Sequence, residues 1–176
     1  MLSPRLLVFD FDGVIVDGMN EYWWSARRAF LRLNPTVDLS ESIPPQFRQL
    51  RPWIHHGWEM VLIAALISEQ RGPLEQLGVQ AFVHDYAAHC TAALERFGWD
   101  PVLLQQTLEA VRADAVRSDR EAWLALHQPY PGVPERLTAF SEENIAWAVL
   151  TTKASDFTSE LLASMAVSYT HLTLPT

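Results

Sequence analysis

The chain has 176 residues, 49% hydrophobic and 19% charged, with a formal net charge of -8. Such a composition suits a soluble globular protein of one domain, or of one domain carrying an insertion, and its acidity excludes a broad basic surface for nucleic acid or an anionic membrane. The single cysteine, Cys90, excludes an internal disulfide and a cysteine-based zinc cluster, and fits a reducing, cytoplasmic compartment.

Leu6-Leu7-Val8-Phe9 runs straight into Asp10 and Asp12, unlike a secretory leader. A short unbroken apolar run that stops at a polar cluster with glycine predicts a strand buried on both faces of a parallel sheet, with the cluster at its carboxyl end. Apolar residues at 19, 22, 23, 26, 30 and 33 follow the helical period and predict an amphipathic helix ending at Asn34-Pro35. A loop rich in Ser, Glu and Pro follows, as far as Pro45. Further helices are predicted at about 46–70, 73–97, 100–113 and 116–127, separated by Arg71-Gly72-Pro73, by Gly98 to Pro101 and by weaker breaks. The longest apolar run, Met60 to Ile67, is far shorter than the roughly 20 residues of a membrane span and reads as a buried helix.

Gln128 to Pro134 is turn-rich, after which a short helix over 135–142 and a second buried strand over 145–150 are predicted, the strand ending at Thr151 and Thr152. Ser155 or Asp156 caps a following helix. Strand, helical insertion, helix, strand and helix in that order predict an α/β protein whose site lies at the carboxyl ends of its strands.

Residues 167–176 lack the helical period of the Leu161 to Ala166 stretch before them. Val-Ser-Tyr-Thr-His-Leu can be encoded by GTC TCT TAT ACA CAT CT and the Ala166 codon can end in CT; joined, these match the mosaic-end adaptor of transposon-based sequencing libraries. The segment is therefore expected to be a translated adaptor, with the natural product continuing differently past Ala166; a natural disordered tail is the alternative.

Asp10-Phe11-Asp12-Gly13-Val14-Ile15-Val16-Asp17 follows the first strand. It resembles motif I of the haloacid dehalogenase superfamily: an apolar strand, Asp-x-Asp-Gly, a few apolar residues and often another Asp. The chemistry accounts for the spacing. A carboxylate at a strand end, Asp10, can attack phosphorus and form an aspartyl-phosphate. A second carboxylate two residues on, Asp12, points to the same side and can protonate the leaving oxygen, then deprotonate the attacking water. Gly13 lets the chain turn sharply. Two carboxylates repel a phosphate dianion, so a hard divalent cation is needed between them, and Mg2+ fits best. The resemblance implies that Asp10 binds this ion through its carboxylate and Asp12 through its backbone carbonyl. A calcium loop is excluded, because an EF-hand sets its glycine at the sixth position between helices. An acidic turn without function remains the alternative.

Ile145 to Lys153, with Thr151 and Thr152 at the strand end, resembles motif II, whose hydroxyl and backbone N–H groups hold the phosphoryl oxygens. Tyr130-Pro131-Gly132-Val133, a helix and then the threonine strand is a succession similar to that of phosphoglycolate-phosphatase-like members. Thr152 stands where many relatives have Asn. Lys153 is read as a surface or substrate-side residue, since the motif III lysine of relatives with this layout lies much further along.

The stretch 18–128 falls where this family inserts a helical C1 cap, a lid that excludes water and supplies specificity. Within it Trp23 and Trp24 are read as core, and Arg27 and Arg28 as a solvated face. His55 and His56, adjacent on a helix, make a poor metal pair. The implied fold is α/β, a partial Rossmann-like parallel sheet (1–17 and 129–166) with the cap inserted. Motifs III and IV are not found before Ala166.

The implied activity is that of a cytoplasmic Mg2+-dependent phosphatase acting on a small phosphorylated metabolite, with no nucleic-acid or membrane partner. The 176 residues by themselves are expected to turn over little substrate and to dissolve poorly, because a partial sheet exposes unpaired edges and apolar faces. A phosphoglucomutase-like phosphotransferase and a non-catalytic binding or regulatory protein of the same fold are the alternatives.

Overall fold

Alternating or continuous runs of Leu, Val, Phe and Trp suit a pleated surface, and apolar positions three and four apart suit a helix. A computed structural model describes residues 6–151, 153, 155–165 and 173–175, the last three as backbone. In chain order its strands are β1 (Leu6–Asp10), β2 (Val16–Asp17), β3 (Gln128–Pro129), β4 (Ala146–Thr151) and β5 (Thr173–Pro175). The helices are α1 (Met19–Leu33), α2 (Pro45–Leu50), α3 (Gly57–Ser68), α4 (Pro73–His84), α5 (Tyr86–Phe97), α6 (Pro101–Leu124), α7 (Val133–Glu142) and α8 (Ser155–Ser164), with a 3-10 turn at Arg51–Trp53. Two compact units result, Met1–Gly18 with Glu121–Thr176, and Met19–Arg120.

In the first unit β1 and β4 run parallel, with Leu6 opposite Ala146 and Asp10 opposite Leu150, and β5 lies parallel on the far side of β4. Parallel neighbours cannot be joined by a tight hairpin. Helix α7 precedes β4 and packs on the sheet, its Phe140 stacked on Phe9 with ring centroids 6.1 Å apart. β2 and β3 form a separate antiparallel pair, Val16 opposite Pro129 and Asp17 opposite Gln128.

β1 is not buried on both faces. Leu6 is 52% exposed and Val8 55%, whereas Phe9 on the alternate face meets α7. Leu150, which shares the outer face through its register with Asp10, is 40% exposed. An unbroken apolar run shows that a strand can be covered twice, and the covering itself comes from other segments.

The second unit is helical. α1 forms as its apolar period predicts, burying Tyr22, Trp23, Ala26, Ala29 and Phe30. The helix expected over 46–70 is broken: Pro52 cannot donate a backbone hydrogen bond and clashes with the preceding turn. The chain restarts as α3 where the Glu59 carboxylate accepts the His55 and His56 amides at 2.6 and 3.0 Å. The helix expected over 73–97 divides at Asp85 (φ -129°, ψ 39°), and a non-helical Gly78 (φ +72°) lies inside α4. The two helices expected over 100–127 are one, α6, kinked at Asp119 (φ -156°, ψ 84°). Met60 to Leu66 of α3 are buried without exception, so this helix is apolar all round and lies inside the core.

One ion pair lies within that core. Arg112 of α6 grips Glu21 of α1 with both prongs, Nε to Oε1 at 2.6 Å and Nη2 to Oε2 at 2.7 Å, and the Ser25 hydroxyl also donates to Oε1. Their side chains are 7% and 0% exposed. Removing one partner leaves a buried charge without its counter-charge, at a cost of about 3–5 kcal/mol. Arg112→Met is therefore expected to lower the unfolding free energy by about that amount in denaturant titration, and Glu21→Gln with Arg112→Met to recover much of it.

Cys90 and Tyr86 face each other in the same unit. Burial pushes the Cys90 thiol up to about 11, and burial likewise raises Tyr86. A raised value means that the folded state holds its proton more tightly, so this stability is complete below the ordinary thiol value of 9.0 and fades as pH climbs through about 11. The denaturant midpoint should be level up to the ordinary thiol value and fall above it, with a shallower fall in Cys90→Ala.

Candidate active site

The carboxyl end of β1 turns back on itself within six residues. Phe11 is fully buried and its carbonyl accepts the amides of Ile15 at 2.9 Å and Val16 at 3.2 Å, while the Gly13 amide donates to the Val16 carbonyl at 2.8 Å. Gly13 sits at φ +85°, in the left-handed region that glycine enters freely. A side-chain carbon there would meet nothing within 4 Å, so the need for glycine is one of backbone conformation and not of room. Asp12 bridges to Val16 across the turn. Gly13→Ala should cost about 1–2 kcal/mol of stability by denaturation, all of it backbone strain.

Asp10 ends β1 with its side chain exposed, and its Oδ1 accepts the Phe11 amide at 2.7 Å. Asp12 is oriented otherwise. Its Oδ1 is fully buried and has no hydrogen-bond partner among the described residues, but the Lys153 ammonium lies 3.6 Å from it. That separation exceeds a hydrogen bond, so the attraction is Coulombic, in surroundings with little water to screen it. The side chain of Lys153 is 2% exposed. Its amide donates to the Thr151 hydroxyl oxygen at 3.1 Å, and Thr151 is itself buried.

Of the residues expected from sequence, Asp10, Asp12 and Thr151 thus lie at the carboxyl ends of the adjacent strands β1 and β4. Asp10 is opposite Leu150, one residue before Thr151, and among the described residues no hydrogen bond joins Asp10 to Thr151. Thr152 falls outside the described residues. Lys153, expected at the surface or on the substrate side, is not at the surface: it is buried against Asp12. Register carried the signal: with position 10 opposite 150, a residue just past 151 comes level with position 12.

Among the described residues no three or more His, Cys, Asp or Glu side chains gather as a metal cage. Mg2+ does not demand one; it commonly takes one or two protein oxygens, with waters and substrate phosphate completing its shell. The Asp10 carboxylate and the Asp12 carbonyl, which accepts no backbone hydrogen bond among the described residues, are hard oxygen donors of that kind. Asp12 Oδ1, turned to an ammonium, is not.

The family model for haloacid dehalogenase-like hydrolases matches residues 4–170 of the chain. No curated protein and no solved structure matches it.

Proposed function

The chain belongs to the haloacid dehalogenase-like hydrolases, and from that membership we propose a Mg2+-dependent phosphatase acting on a small phosphorylated metabolite through an aspartyl-phosphate. The observation that supports this reading most is the pair of acids at the end of β1, one exposed and one held inward by a lysine.

Asp10 Oδ2 attacks phosphorus as the bond to the leaving oxygen breaks, and Asp12 gives that oxygen a proton. Water then attacks the phosphorus of the aspartyl-phosphate and passes its proton to Asp12, releasing phosphate and restoring Asp10. The Asp10 carboxylate and the Asp12 carbonyl would hold Mg2+, whose chemistry is to offset the repulsion between carboxylate and phosphate. Thr151 accepts a hydrogen bond from the Lys153 amide, so its own proton is left to donate to a phosphoryl oxygen, with Thr152 beside it. In this reading the helical unit, Met19–Arg120, is the cap and selects the substrate. No described helix is long and apolar enough to cross a membrane, and the net charge of -8 suits a small cytoplasmic metabolite better than a nucleic acid.

The test is phosphate release from p-nitrophenyl phosphate by the full-length protein, with and without Mg2+. Asp10→Asn should lower turnover by roughly a thousandfold or more, and chelation should abolish it. Turnover that survives Asp10→Asn, or that ignores chelation, overturns the reading. An isomeric sugar phosphate in place of free phosphate as product identifies a phosphotransferase.

A further inference from the structure

The Lys153 ammonium takes no part in the chemical steps above, although its burial sets it apart from an ordinary surface lysine. An ammonium taken out of water is costly unless a counter-charge accompanies it. Among the described residues the Asp12 carboxylate faces it, 3.6 Å from its Nζ. The contact is one-sided with respect to Asp12: Oδ1 is fully buried, while the side chain as a whole keeps 16% of its surface, so the solvent-facing part lies away from Oδ1. The backbone of Lys153 is also tied to the Thr151 hydroxyl, which links the ends of β1 and β4 through one residue.

We propose that Lys153 is a positioning residue for Asp12, holding Oδ1 inward and leaving Oδ2 as the oxygen that hands the proton to the leaving group. The proposal rests on the phosphatase reading. A carboxyl that rotates freely spends much of its time with neither oxygen aimed at the leaving group, and general acid catalysis depends on that aim. Without Lys153 the proton still exists but arrives badly placed, so the bond between phosphorus and the leaving oxygen breaks with the electron pair unprotonated.

Leaving-group dependence detects this defect and a general loss of structure does not. p-Nitrophenolate departs without protonation, whereas the alkoxide of glycerol phosphate needs the proton. In the full-length protein with Mg2+, Lys153→Met is expected to lower kcat on glycerol phosphate by about tenfold to a hundredfold, a share of the general-acid contribution, and to leave p-nitrophenyl phosphate within about threefold. Lys153→Arg should recover most of the loss.

Equal losses on both esters, or a raised KM with kcat unchanged, overturn the proposal, because they signal loss of fold or of a direct contact with phosphate. If Lys153→Met does not fold, Lys153→Gln carries the test, and an unchanged ratio of the two kcat values overturns the proposal there. Phosphate release from neither ester by the unmodified protein overturns the phosphatase reading and this proposal together. A normal Asp10→Asn loss with an unchanged ester ratio in the lysine variants overturns this proposal alone.

Discussion

The reversal of the chain between Phe11 and Val16 is the constraint from which the arrangement of the candidate site follows. A strand left to itself would carry Asp12 onward in the direction of β1. Here Phe11, locked in the core, offers one carbonyl to the amides of Val14, Ile15 and Val16, and Gly13 takes the left-handed conformation that closes the loop. Asp10 is left exposed at the strand end, while Asp12 is brought beside Val16 and faces Lys153. Two acids of the same kind, two residues apart, thereby occupy different environments. The proposed division of labour between nucleophile and acid requires that difference.

Much of this was legible in the residues. Four apolar positions ending at Asp-x-Asp-Gly specify a strand and a turn, and the 3.6-residue period of α1 is unambiguous because Trp23, Ala26 and Phe30 recur on one face. Other boundaries were hidden for physical reasons. Met60 to Leu66 is apolar on every side, so periodicity could not mark where α3 begins, and the start is set by Glu59 accepting two amides. β2 and β3 have two residues each, too few to display any period. The burial of Lys153 is a tertiary fact: its neighbour Asp12 is far away in sequence, and only the pairing of β1 with β4 brings the two level.

Within the helical unit, polar groups are placed where apolar packing alone would leave the arrangement under-determined. The Trp23 indole donates to the Ser40 carbonyl at 3.2 Å and the Arg27 guanidinium to the Leu39 carbonyl at 2.6 Å, so both fasten the long loop after α1 to the face of that helix. Arg27 is thus engaged by backbone, and it also faces Glu41 at 3.6 Å; the solvated face expected of it is only part of its role. The Glu21 and Arg112 pair acts at longer range, joining the first and last helices of the unit through two parallel hydrogen bonds that tolerate little sliding.

The wetted outer face of the small sheet bears on how the protein takes up heat. Leu6, Val8 and Leu150 already contact solvent in the folded state, so unfolding exposes little additional hydrocarbon at those positions. Leu62, Ile63, Ala64 and Ala65 of α3 are wholly enclosed and become hydrated only when the helices separate. Since the heat-capacity increment follows the apolar area newly exposed, the helical unit dominates the curvature of the stability curve, while the sheet unit responds to temperature with a flatter profile for its length.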